Sequence, residues 1–225
     1  MTDTAAFKRA AAEAAVAEVA DGMVVGLGTG STAAFAIAAI GRRVRQGLRV
    51  TGVPTSLATA AAAQAAGIPL IDPPGEIDLA IDGVDEIDPQ CRAIKGGGGA
   101  MLREKVVAAA ARRMIAIADT SKQVSRLGAH AVPIEVLPFA AIPVAAAIAR
   151  LGGDGRWRMR DGKPVTSDQG NPLLDAQFGP IADPAALAAA LSAIPGLLGH
   201  GLFPTEIDLL VAAGPEGIVR IGRTG

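Results

Sequence analysis

Met23-Val24-Val25-Gly26-Leu27-Gly28-Thr29-Gly30-Ser31-Thr32 passes from an apolar run directly into a loop of glycines and hydroxyls, and its reading decides the fold. Residues 23–27 have no polar face, the signature of a strand buried on both sides. Behind the loop, 33–43 spells a helix and 48–53 a second apolar run, so the order is strand, loop, helix, strand. The grammar extends outward from there. An Ala-rich helix is expected over 4–19, a helix over 56–66, short strands near 68–71 and 79–81, a helix over 100–113 and a strand over 114–118. These predict an α/β fold with an open, mainly parallel, Rossmann-like sheet and helices on both faces.

From Val132 the order changes to strand (132–136), helix (142–151), strand (156–160), turn at Asp161-Gly162, strand (172–177), helix (184–193) and strand (197–201). This β-α-β-β-α-β sequence predicts a smaller inserted α+β domain. Residues 207–213 and 218–221, joined by Gly214-Pro215-Glu216-Gly217, read as a hairpin returning to the large sheet. The expected division is a large α/β domain over 1–130 plus 204–225 and a small domain over 131–203.

Composition narrows the function classes. With 50% hydrophobic residues in 225, the chain can bury a sizeable core. A net charge of -1, from 21 basic and 22 acidic residues, offers no long-range field for nucleic acid or an anionic membrane. The uncharged stretches 22–41 and 51–71 are long enough to consider as membrane spans, but glycines, prolines and hydroxyls interrupt both. Lys8, Arg9, Glu13 and Glu18 break up any signal-peptide core. The single cysteine, Cys91, fits a reducing cytoplasm and has no zinc-motif partners.

Functional loops of such sheets lie at the carboxyl ends of the strands. Here these are 28–32, Thr55-Ser56, 82–88 and 119–122, the most polar segments of this half. The loop holding Thr29, Gly30, Ser31 and Thr32 enters a helix, where free N–H groups and the helix dipole favour a phosphate. It lacks the third glycine and the later acidic residue of a dinucleotide site, and the Gly-Lys-Ser/Thr of a Walker loop. Asp82, Asp85, Glu86 and Asp88 read as a magnesium cluster, a solvated acidic turn, or acid-base groups and hydroxyl acceptors. Lys95, Arg103 and Lys105 weaken the magnesium reading. At least Glu86 and Asp88 are expected in part as a solvated turn.

Four successive glycines, 96–99, carry a conformational-entropy cost that asks for a functional reason. Their amides can form an anion-binding concavity beside Lys95. On the following helix Leu102, Val106 and Ala109 are expected to face the core, with Glu104 pointing out toward the loops as a general base for a carbon acid. Lys122 is placed to supplement the phosphate loop. His130, His200, Asp168 and Asn171 are expected to be structural.

Together these motifs resemble the type A ribose-5-phosphate isomerases: Gly26 to Thr32, Asp82-Gly83-Val84-Asp85-Glu86, Lys95 to Gly98 with Arg103-Glu104-Lys105, and the Ser121-Lys122 segment. The resemblance implies a metal-independent, cofactor-free aldose–ketose isomerisation of ribose 5-phosphate in a cytoplasmic homodimer or tetramer. Glu104 would move the proton between C2 and C1 through a cis-enediolate, while Lys95 and the amides of Gly96, Gly97 and Gly98 hold the oxyanion. Asp82 and Asp85 would bind hydroxyls and assist ring opening. Thr29, Gly30, Ser31, Thr32, Gly83, Val84 and Lys122 would complete the substrate and phosphate contacts. A non-catalytic sugar-phosphate sensor on the same scaffold is the alternative reading.

Overall fold

The computed structural model describes residues 4–72 and 75–223. The chain runs α1 (Thr4–Val16), β1 (Val24–Leu27), α2 (Ser31–Arg45), β2 (Thr51–Pro54), α3 (Leu57–Ala65), β3 (Leu79–Gly83), β4 (Glu86–Ile87), β5 (Ala93–Ile94), α4 (Met101–Ala110) and β6 (Met114–Asp119). It continues with β7 (Val132–Val136), α5 (Ala141–Arg150), β8 (Asp154–Trp157), β9 (Met159–Arg160), β10 (Lys163–Pro164), β11 (Leu173–Gln177), α6 (Pro184–Ser192), β12 (Leu197–His200), β13 (Leu202–Phe203), β14 (Leu209–Gly214) and β15 (Gly217–Gly222). The main sheet has the order β15-β14-β6-β3-β1-β2, parallel except for the β14/β15 hairpin.

Alternate side chains of each central strand enter different cores, as the pleat requires. Val25, Leu27, Leu79, Ile81, Ile115, Ile117 and Val211 pack with α1, α2 and α3. Ala80, Met114, Ala116, Leu210 and Ala212 face the other way and pack with Val107 and Ala108 of α4. On that side Gly26 lets α4 approach, because a Cβ there would stand 2.6 Å from Val107 Cγ1.

The smaller sheet, β12-β7-β11-β8, is antiparallel, and one face packs through Ile134, Val136, Leu174 and Ala176 against Val144 and Ile148 of α5 and Leu191 of α6. Its other face meets α4, since a Cβ on Gly199 would lie 2.9 Å from Leu102 Cδ1. Helix α4 is therefore packed between the two sheets, with its first turn at their junction.

Several expectations need correction. The strand expected near 68–71 reduces to one parallel bridge, Gly52 to Leu70. The run expected as one strand over 156–160 breaks at Arg158. The three-stranded sheet β13-β5-β4 was not foreseen, because its strands are two residues long and give no periodicity. Glu86 and Asp88 are buried rather than solvated. Glu86 accepts from the N–H groups of Gly128 and His130, and Asp88 caps its turn at Gln90 and pairs with Arg92. The buried face of α4 is Met101, Glu104, Val107 and Ala108, while Val106 is half exposed. An Ala-rich helix carries little amphipathic signal, so its phase is set by the two sheets rather than by its own pattern.

Candidate active site

The loops after β1, β3, β5 and β6 meet in one cleft, lined by Thr29, Gly30, Ser31, Thr32, Gly83, Val84, Asp85, Lys95, Gly96, Gly97, Gly98, Glu104 and Lys122, with Lys8 of α1. Asp82 lies beneath the rest. Gly28 is obligatory at this point: a Cβ there would fall 2.0 Å from Asp82 Oδ1. Asp82 Oδ1 accepts from Thr29 N–H at 3.0 Å and from Gly83 N–H at 2.7 Å, which locks the first loop to the second.

The Thr29 hydroxyl is committed to a buried hydroxyl cluster, 2.7 Å from Thr55 Oγ1, 2.9 Å from Ser56 Oγ and 3.1 Å from Thr59 Oγ1. Thr55 and Thr59 in turn donate to the carbonyls of Leu27 and Gly28. Thr29 therefore braces the loop from within. The open part is the entrance of α2, where Gly30 sits at φ 102° and the helix begins at Ser31. Helical N–H groups with no intrahelical acceptor lie there, Lys8 Nζ donates to Ser31 Oγ at 3.0 Å, and Lys122 lines the same cleft. Two cations and a helix N-terminus make an anion cradle. Lys8 carried no sequence signal of this role, because only the packing of α1 beside α2 brings it to the loop.

At the other end Lys95 is 2% exposed, Asp82 3% and Glu104 4%. Lys95 Nζ stands 2.9 Å from Asp82 Oδ2 and 3.3 Å from Glu104 Oε2, and donates to the carbonyl of Gly83. Phe203 of β13 lies under it, with the ring centroid 5.4 Å from Nζ. Burial works against the Lys95 charge, but Asp82 and Glu104 outweigh it and hold the ammonium above the usual lysine range. Burial likewise drives Glu104, pushing its carboxyl up to about 8 against the pull of Lys95, with Asp82 adding to the rise. Asp82 is also raised, again by burial and again opposed by Lys95. Although Glu104 Oε2 is within ion-pair range of Lys95, it accepts no aligned hydrogen bond among the described residues. A buried carboxylate with an uncommitted oxygen, beside a fixed cation, can take a proton from carbon and see the resulting oxyanion stabilised.

The glycine loop is a closed turn in which Gly99 N–H donates to Gly96 O at 2.8 Å. Gly97 N–H donates to Asp85 Oδ2 at 2.8 Å, so Asp85 shapes the loop as well as facing the cleft. No protein acceptor is found for the Gly96 and Gly98 N–H groups among the described residues, and these two are the amides open to a ligand. Away from the cleft, Lys105 pairs with Glu206. His200 is buried between Ser192 Oγ and Leu202 N–H. Asp168 caps α3 at Leu57 N–H, and Asn171 holds the buried Glu135.

The chain matches the model of the family "Ribose 5-phosphate isomerase A (phosphoriboisomerase A)" over residues 51–217. It is 51% identical to ribose-5-phosphate isomerase A of Methylorubrum extorquens, over 94% of this chain and 93% of that one. The ribose 5-phosphate isomerase A structure from Methanocaldococcus jannaschii superposes with a TM-score of 0.92 at 37% identity, covering 96% of this chain and 98% of the other. A D-ribose-5-phosphate isomerase solved in complex with phospho-erythronic acid gives a TM-score of 0.94 at 35% identity, with 98% and 100% covered. On sequence over most of its length and on three-dimensional form, the chain belongs to the ribose 5-phosphate isomerase A family.

Proposed function

We propose that the protein interconverts D-ribose 5-phosphate and D-ribulose 5-phosphate by proton transfer through an enediolate. The observation that carries this reading is the buried Glu104–Lys95–Asp82 group, opening onto a cleft whose far end is an anion cradle. Phospho-erythronic acid, with which a relative of the same fold was solved, is a phosphosugar acid.

The phosphate rests against the N-terminus of α2, Lys8 and Lys122, which leaves the carbonyl end of the open-chain aldose beside Lys95. Glu104 takes the proton from C2, the electron pair forms the C1–C2 double bond, and the charge passes to O1 beside Lys95 and the open glycine amides. The same carboxyl returns the proton to C1, and a proton passes from O2 to O1, leaving the carbonyl at C2. Asp82 and Asp85 are assigned to the sugar hydroxyls and to ring opening. Val84, Gly30 and Gly83 supply walls and backbone to the cleft.

A sensor would have no use for a buried carboxyl held near neutral pKa, and no observation favours that alternative. The test is conversion of ribose 5-phosphate followed by NMR, in the protein and in a Glu104→Gln variant. Turnover by the former and loss by the latter is the expected result, whereas binding without conversion by both would favour the sensor. We further assign a cytoplasmic location and a homodimeric assembly; among the described residues no helix is long and apolar enough to cross a membrane. Light scattering in solution returning a monomer mass would refute the dimer.

A further inference from the structure

The glycine loop is held from outside the cleft by a residue of the small domain. Arg158, at the break between β8 and β9, donates from Nη1 to the carbonyl of Gly97 at 2.9 Å. Its guanidinium is itself fixed by a two-pronged pair with Asp175 of β11, Nε to Oδ2 at 2.9 Å and Nη2 to Oδ1 at 2.5 Å. The Arg158 backbone is also tied on both sides, its N–H to Leu173 O and its carbonyl to Val165 N–H. Asp175 pairs with Arg156 across the ladder, so Arg158, two residues on, lies on the same face of the sheet as a diagonal neighbour.

The consequence follows from peptide geometry. The Gly97 carbonyl and the Gly98 N–H belong to one planar trans unit and point in opposite directions. A carbonyl drawn to Arg158, which stands outside the cleft, turns the Gly98 N–H the opposite way, toward the cleft that Gly98 lines together with Thr29. On the preceding unit Asp85 holds the Gly97 N–H. Both peptides flanking Gly97 are thereby held by side chains, one by a residue of the large domain and one by a residue of the small domain. We propose that Arg158, seated on Asp175, is a positioning residue that aims the Gly98 amide at the developing oxyanion. This rests on the isomerase reading for its catalytic consequence, but not for the clamp itself.

Arg158→Met and Arg158→Lys would be compared with the unchanged protein, because lysine keeps the charge but cannot fork to Asp175 and reach Gly97 at once. Removing an oxyanion donor costs about 10²–10³ in kcat, and misaiming one should cost part of that, about tenfold. The expected result for both variants is a kcat about tenfold lower at nearly constant KM, affinity for phospho-erythronic acid reduced by a similar factor, and inhibition by inorganic phosphate unchanged. Hydrogen exchange measured on the segment 96–99 should speed up in both. Should Arg158→Met fail to fold, Asp175→Asn, which leaves the arginine unseated, is expected to give the same pattern more weakly. Unaltered kcat and unaltered loop exchange overturn the proposal, and so does a loss shared equally by KM and phosphate binding. If the unchanged protein does not isomerise but loop exchange still responds to Arg158, the clamp stands and the functional reading falls.

Discussion

Replacing Lys95 with methionine tests the electrostatics of the site more sharply than a simple loss of activity. The ammonium lies 3.3 Å from Glu104 Oε2, with both groups excluded from water. It opposes the burial that lifts Glu104 to about 8. An opposite charge at such range lowers a carboxyl pKa by about 1–3 units, so its removal should carry Glu104 from about 8 to about 10. At pH 7 the ionised share of the base would fall from about one in ten to about one in a thousand, a loss of about 100-fold before the missing oxyanion partner is counted. The sign gives the test its selectivity. Above pH 8 the unchanged enzyme should level off, because Glu104 is already ionised, whereas Lys95→Met should go on gaining rate until about pH 10. The assay is kcat/KM across this range, with circular dichroism at each pH to show that the variant stays folded. A Lys95→Met profile with its limb still near 8, merely lowered in height, would refute the idea that Lys95 sets the basicity of Glu104.

Other outcomes follow from the same geometry. Gly28→Ala forces a Cβ to 2.6 Å from the Asp82 Cα, a backbone atom that cannot swing aside; thermal unfolding should show a loss of about 1–3 kcal/mol and kinetics a large fall in kcat. Lys8→Met removes a rim cation from the anion cradle and should raise KM about tenfold with kcat nearly unchanged, read by initial rates. His200 accepts from Leu202 N–H through Nδ1, so its proton sits on Nε2 toward Ser192, and burial holds its pKa down at about 4 from 6.5. Since the folded pKa is the lower one, its contribution is present above pH 6.5 and is lost as pH falls through about 4, up to roughly 3 kcal/mol. Urea melts of the protein and of His200→Gln should diverge over that window, and parallel curves would remove His200 as a cause of acid lability.

Much of the fold could be read from the chain because its central strands are continuous apolar runs punctuated by polar loops and alternating with helices, the pattern of a parallel sheet covered on both faces. The hairpin of β14 and β15 was equally legible from its Gly-Pro-Glu-Gly turn. Failure came where long-range packing, not local pattern, decides. Helix α4 offers alanine on several faces, so its register could not be phased: Glu104 does meet the loops in the cleft, but from the buried side of the helix rather than from an outward face. Glu86 looked like a solvated acid because nothing local announces the Gly128 and His130 amides that meet it from more than forty positions away. Lys8, Phe203 and Arg158 reach the site through α1, β13 and the small sheet, and no spacing in the sequence links them to it.

The role of Glu104 as the proton carrier is tested most directly by isotope exchange. With ribose 5-phosphate in deuterated water, NMR of the ribulose 5-phosphate formed should show deuterium entering at C1 as turnover proceeds, and Glu104→Gln should neither turn over nor exchange. A Glu104→Gln protein that isomerises and exchanges at the normal rate would contradict the assignment.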